Sequence, residues 1–194
     1  MLQLRVDDLA GTHAVAAAIA GVARAGDVIV LAGEMGAGKT AFAQGFGRSL
    51  GITEPITSPT FTLVHSYPLP SRLTLHHADI YRLDRTGDVE DLALHELAAF
   101  KGIVLIEWGD VAAPALGDHL EIRLAHVDDF DDDSDDDGSE DASDEAPQRN
   151  EHDASDEDDE FADPGTREIE LRAVGSTWAG RWDRIARAVE QYRC

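Results

Sequence analysis

The amino-acid sequence predicts an α/β domain of three layers, with helices on both faces of a mixed, mostly parallel central sheet. Three observations carry this. Val28 to Ala32 is an unbroken aliphatic and β-branched run that passes through a glycine-rich turn into a helical pattern. Ile103 to Ile106, within GIVLIEW, is a second such run, and strands without polar alternation belong to sheets covered on both faces. Two pairs of segments read as hairpins: Phe61–Tyr67 with Arg72–Ala78 around Pro68–Ser71, and His119–Val127 with Arg167–Val174 across a long insertion. Hairpins among parallel strands make the sheet mixed.

In chain order, Leu2 to Val6 alternates as a short strand. Ala10 to Arg24 has helical period, with Asp7, Asp8 or Thr12 as cap and Gly26 just past the end. After the loop helix, Gly51 to Pro59 is rich in turn formers. Asp88 caps an expected helix from about Val89 to Phe100, with Leu92, Leu97 and Phe100 toward the core. Leu120, Ile122 and Leu124 alternate against polar neighbours, as do Ile169, Leu171 and Val174. Trp178 to Tyr192 reads as a closing helix with Ile185, Ala188, Val189 and Tyr192 as its buried stripe, and Arg181, Arg184 and Arg187 on a solvated face.

A chain of 194 residues at 43% hydrophobic content supports one core, so a single domain over 1–194 is expected. The net charge of −23 is concentrated: Asp128 to Glu160 holds 19 of 39 acidic residues and one of 16 basic residues, Arg149. The rest carries 20 acidic and 15 basic residues, a net of only −5. The acidic tract lacks the apolar content to offset its ordering entropy, so a disordered insertion over about 128–165 is expected. No concentrated basic patch favours direct nucleic-acid binding, so any RNA connection is expected to run through a partner. The single cysteine, Cys194, excludes an intrachain disulfide and a cysteine-based metal site. No apolar run approaches the roughly eighteen residues of a membrane span, so a soluble cytoplasmic chain without a membrane partner is expected.

The segment Gly33-Glu34-Met35-Gly36-Ala37-Gly38-Lys39-Thr40 has the spacing of a phosphate-binding loop. Its glycines permit positive φ and close backbone approach, so successive N–H groups converge on one anion. The helix opening at Lys39, Thr40 and Ala41 adds a dipole that favours negative charge. Lys39 reaches outer phosphates, and the Thr40 hydroxyl reaches magnesium. The domain is accordingly read as P-loop NTPase-like. A carboxylate at the end of a neighbouring strand completes the metal site; Glu107, directly after an apolar strand, is favoured over Asp79. Asp79 orients water, joins the metal shell, or serves as a cap or an ion-pair partner of Arg82. Ser58, Thr60 and Thr62 lie where a phosphate-sensing loop would be. His76 and His77 point to opposite faces of one strand and make a poor metal pair. Trp108 is read as a core residue, or as a stacking surface for a base or partner.

Taken together, GEMGAGKT at 33–40, SPTFTLV at 58–64, HADIYRL at 77–83 and IEW at 106–108 resemble the TsaE family of bacterial tRNA-modification ATPases. The resemblance covers Ala10 to about Val127 and resumes at Thr166. It implies that the loop backbone and Lys39 bind ATP or ADP phosphates, that Thr40 and Glu107 hold Mg2+, and that Thr60, Asp79 and Trp108 belong to the functional surface. It further implies ATP hydrolysis in support of threonylcarbamoyl transfer to the adenosine beside the tRNA anticodon, with TsaB and TsaD as partners and the transfer chemistry in TsaD. Gly109 departs from the proline many members carry after the tryptophan, and the acidic insertion is foreign to the pattern.

Two other functions fit the phosphate loop alone. A small-molecule kinase would need an arginine-rich lid, and the only arginine cluster falls on the last helix. A nucleotide-gated binding subunit with little turnover would differ in how partner affinity responds to ATP and ADP. A GTPase is disfavoured, because the chain's only asparagine is Asn150 and no base-reading asparagine motif occurs.

Overall fold

Local sequence and ladder register together build a seven-stranded sheet in the computed structural model, which describes residues 1–81, 93–111, 113, 116–127 and 165–194. The strands are β1 (Leu2–Val6), β2 (Val28–Ala32), β3 (Val64–Pro68), β4 (Thr74–Asp79), β5 (Gly102–Glu107), β6 (His119–His126) and β7 (Arg167–Val174). Their spatial order is β1-β7-β6-β2-β5-β4-β3. The centre is parallel, β2 pairing with β5 and β6, and β4 with β5. The flanks are antiparallel: β3 on β4, β7 on β6 and β1 on β7. Every residue of β2 and β5 is buried, as their continuous apolar sequences demand.

Alternation along the strands divides the core into two layers. Ile29, Leu31, Ile103, Leu105 and Leu171 face helices α1 (Leu9–Ala20) and α2 (Lys39–Ser49) and the C-terminal segment. Val28, Val30, Val104 and Ile106 face the other way, against Leu94 and Ala98 of α3 (Leu94–Ala99). Helices therefore cover both faces, as expected.

Several element boundaries differ from expectation. Helix α1 starts at Leu9, directly after its cap Asp8, whose Oδ1 accepts the Gly11 N–H at 2.6 Å, and it ends at Ala20 rather than Arg24. Strand β3 begins at Val64, because Phe61 to Leu63 form a turn that bonds back to Pro59 and leaves Phe61 86% exposed. Helix α3 is shorter than expected, and Phe100 lies beyond it at 89% exposure instead of in the core. Residues 82–92, including Asp88, Val89, Leu92 and Arg82, lie outside the described residues.

The C-terminal helix is interrupted into α4 (Ser176–Ala179), α5 (Trp182–Ala188) and a 3-10 turn, Glu190–Tyr192. Ile185 and Val189 are buried as expected, whereas Ala188 is exposed. Arg181, expected on a solvated face, is instead buried at the break. Its Nη1 and Nη2 donate to the two Asp27 oxygens at 2.7 and 2.6 Å, and Nη1 also donates to the Val22 carbonyl. A planar two-pronged donor suits a buried carboxylate, and Asp27 is the residue before β2.

The β6–β7 ladder runs from His119↔Val174 to His126↔Arg167, and the Val127 carboxyl-side neighbourhood is closed by a Val127 N–H bond to the Thr166 carbonyl at 3.1 Å. The hairpin is thus paired up to the mouth of the acidic insertion, so a long connection adds loop-closure entropy that grows only slowly with length. The insertion itself, and its expected disorder, lie outside the described residues. Met1–Val127 and Asp163–Cys194 form one compact unit. Among the described residues, no helix is long and apolar enough to cross a membrane.

Candidate functional site

The carboxyl ends of β2, β4 and β5 converge on the glycine-rich loop. Gly33, Gly36 and Gly38 have φ of 134°, 83° and 98°, a backbone path that side chains resist. Gly33 is additionally forced by packing: a Cβ there would overlap the Leu124 carbonyl oxygen. Ala37 is buried under the loop, while Glu34, Met35 and Gly36 are exposed. Lys39 opens α2 and folds back, its Nζ donating to the Gly33 and Glu34 carbonyls at 2.9 and 2.7 Å. The same ammonium lies 3.6 Å from the centroid of the Trp108 ring. Burial lowers the Lys39 pKa below the ordinary lysine value, opposed by the charges of Glu107, Asp79 and Asp110.

Thr40 follows in the first turn of α2, with Ala41 next to it. The Thr40 hydroxyl lies 3.0 Å from both Glu107 oxygens, so the last residue of β5 meets the helix N-terminus directly. Glu107 is buried, and its Oε1 also accepts from His77 Nε2 at 2.8 Å. His76 and His77 do point apart: His76 Nδ1 bonds the Ser66 hydroxyl at 2.8 Å on β3. The role of His77 as the partner of Glu107 is absent from the sequence reading. Its signal was the i, i+2 spacing to Asp79, which puts both on one face of β4, where register pairs Asp79 with Glu107.

Asp79 holds a separate polar cluster. Its Oδ2 accepts from Ser58 and Thr60 at 2.5 and 2.9 Å, and its Oδ1 accepts the Tyr81 N–H at 3.0 Å. Thr60 is therefore brought to Asp79, whereas Thr62 is exposed in the neighbouring turn. Trp108 is half-buried, packed against the edge of the apolar layer that holds Val30 and Ile106. It has φ of 61°, a conformation rare for a bulky side chain, and its ring packs against Tyr81 at 4.7 Å between centroids. Tyr81 is half exposed, so the pair forms a partly open aromatic wall beside Lys39.

The donor set suits a hard divalent cation. One carboxylate and one hydroxyl stand at the glycine-rich loop, and a magnesium ion held by one or two protein oxygens ordinarily takes its other ligands from water and phosphate. Among the described residues, no group of three His, Cys, Asp or Glu side chains could hold a metal by itself.

Comparison with known proteins gives a consistent result. The family described as threonylcarbamoyl adenosine biosynthesis protein TsaE matches residues 6–133. A protein of Bacillus subtilis (strain 168) named tRNA threonylcarbamoyladenosine biosynthesis protein TsaE is 44% identical over 97 residues, covering 50% of this chain and 60% of that protein. Its namesake in Treponema pallidum (strain Nichols) is 46% identical over 94 residues, covering 48% of this chain and 68% of that protein. The crystal structure of Bacillus subtilis YdiB superposes with a TM-score of 0.66 at 27% identity, covering 96% of this chain and 94% of that one. The matched span includes the glycine-rich loop, the Asp79 cluster and the Glu107–Trp108 strand end, and by that span the chain belongs to the TsaE family.

Proposed function

We propose that this chain is a magnesium-dependent ATPase of the cytoplasm that supports threonylcarbamoyl modification of the adenosine next to the tRNA anticodon, acting with TsaB and TsaD. The observation that carries the reading is the Thr40 hydroxyl placed 3.0 Å from both oxygens of Glu107, one residue after the loop lysine. Family membership supports the biosynthetic setting.

In this reading the Gly33–Thr40 backbone, with Glu34, Met35, Ala37 and Ala41 as its local frame, receives the phosphates. Lys39 exchanges its two loop carbonyls for phosphate oxygens. Thr40 and Glu107 are the residues that would hold magnesium, which on binding neutralises phosphate charge. His77 keeps the Glu107 carboxylate aimed at Thr40 through its hydrogen bond. Asp79 and Thr60 respond to the terminal phosphate: the Ser58 and Thr60 hydroxyls tied to Asp79 are free to rotate toward a new acceptor, releasing the carboxylate to orient water. Trp108 closes the site beside Lys39. Contact with tRNA runs through the partners.

The test is ATP hydrolysis with magnesium by the full chain, alone and with TsaB and TsaD from the same organism. Stimulation by the pair, absent in Lys39→Ala, is expected. Turnover that ignores the pair but rises with a small hydroxyl-bearing metabolite would replace the ATPase reading with a kinase.

A further inference from the structure

His77 is fully buried, and its ring bonds the site through one atom. Nε2 lies 2.8 Å from Glu107 Oε1, while Nδ1 is buried without a partner among the described residues. These two facts place the ring proton. On Nδ1 it would be stranded in the interior, whereas on Nε2 it makes a bond that an ionised acceptor strengthens. His77 therefore donates to Oε1. The backbone fixes the direction of that bond: His77 and Asp79 share a face of β4, and register sets Asp79 beside Glu107 and His77 beside Leu105. The imidazole thus stands one residue pair behind the carboxylate.

The two oxygens of Glu107 are unequal as a result. Oε1 holds the His77 N–H, and among the described residues Oε2 meets only the Thr40 hydroxyl, which has a single proton to give. Glu107 is 2% exposed, so its carboxylate has little room to turn and present both oxygens. A cation arriving at Thr40 meets one engaged oxygen and one more open. Magnesium takes single oxygens at about 2.0–2.1 Å in a strict octahedron. Calcium takes about six to eight oxygens at about 2.3–2.6 Å, and uses carboxylates through one oxygen or through both. A fixed carboxylate with one open oxygen suits the smaller ion and opposes the two-oxygen mode of the larger.

We infer that His77 is a positioning residue that sets the ion preference of the site: by holding Oε1 it leaves Glu107 one oxygen for a cation, which favours magnesium over calcium. The inference rests on the reading of Thr40 and Glu107 as the magnesium-holding pair. It goes beyond that reading by assigning selectivity to a residue that touches neither cation nor nucleotide.

Isothermal titration of the full chain with ATP, in EDTA, in excess magnesium and in excess calcium, tests it on wild type, Glu107→Gln, His77→Leu, His77→Gln and His77→Asn. The quantity read is the factor by which each ion strengthens ATP binding over EDTA. Wild type should gain more from magnesium than from calcium. Loss of a group that orients a metal ligand lowers metal affinity about 10–100-fold, so the magnesium factor in His77→Leu should fall about tenfold. The calcium factor should fall less, bringing the two ions together. His77→Gln carries its N–H donor about where Nε2 stood and should keep the preference, whereas His77→Asn, one carbon shorter, should lose it as leucine does. A packing role alone would lower the melting temperature of the variants and leave the ratio of the two factors at its wild-type value, which would overturn the inference. If His77→Leu does not fold, the other two decide: the same ratio in His77→Gln and His77→Asn overturns it. Equal factors for the two ions in wild type, both lost in Glu107→Gln, would also overturn it and leave the Thr40–Glu107 reading standing. No strengthening of wild type by either ion would overturn both.

Discussion

Replacing Arg181 with methionine should destabilise the fold without changing the proposed nucleotide site. Arg181 is 5% exposed and Asp27 2%, and the guanidinium makes two bonds to that carboxylate and a third to the Val22 carbonyl. Asp27 keeps one other partner, the Arg24 N–H at 2.6 Å, which does not neutralise it. Removing one member of a buried pair leaves an uncompensated charge, at a cost of about 3–5 kcal/mol. For a unit of this size that corresponds to a fall in melting temperature of roughly 6–20 °C. Asp27→Asn should cost a similar amount by stranding the guanidinium, and the double variant should lose less than the sum of the two. The pair sits before β2 and the glycine-rich loop follows it, about 16 Å away along five strand residues. MgATP affinity measured well below the melting temperature should therefore match wild type. Urea and thermal unfolding of the three variants provide the assay. A loss under about 1 kcal/mol for either single variant, or strict additivity, would refute the buried-pair account.

The remaining predictions concern the loop, the Asp79 cluster and the C-terminal cap. Gly33→Ala should abolish MgATP binding in titration, since its φ of 134° and the Leu124 carbonyl exclude a side chain; near-native affinity would show that the loop can take another path. Asp79→Asn should keep MgATP affinity within a few-fold of wild type yet reduce partner-stimulated turnover roughly a hundredfold, whereas unchanged turnover would remove Asp79 from the chemistry. Asp118 caps the start of α4, accepting from the backbone and hydroxyls of Thr177 and Ser176, and those bonds hold its pKa down at about 2. A depressed folded-state value means the cap stabilises above the ordinary value near 3.8 and is lost as pH falls toward about 2. The urea midpoints of wild type and Asp118→Ala should differ at neutral pH and converge across that window; a constant difference would contradict the assignment.

Features set by local chemistry were legible in the sequence. The loop glycines, the apolar runs of β2 and β5, and the alternation of β6 and β7 each declare their structure within a few residues. What escaped depended on register or distant partners. Arg181 reads as one of three spaced arginines until Asp27, 154 positions away, takes it into the core. His77 becomes the partner of Glu107 only once β4 is laid beside β5 in register. Phe61 looked like strand because it is aromatic in a β-branched stretch, yet Asp79 draws Ser58 and Thr60 inward and the chain turns before Val64. Glu107 was identified by its place after an apolar strand, and its contact with Thr40 follows from the parallel β2–β5 pairing.

The central claim is that Thr40 and Glu107 form the magnesium-dependent part of a nucleotide site. The most direct measurement is ATP affinity with and without magnesium for wild type and Glu107→Gln. Magnesium should strengthen binding to wild type, and the variant should keep the metal-free affinity while losing the enhancement. An equal magnesium enhancement in Glu107→Gln would contradict the account.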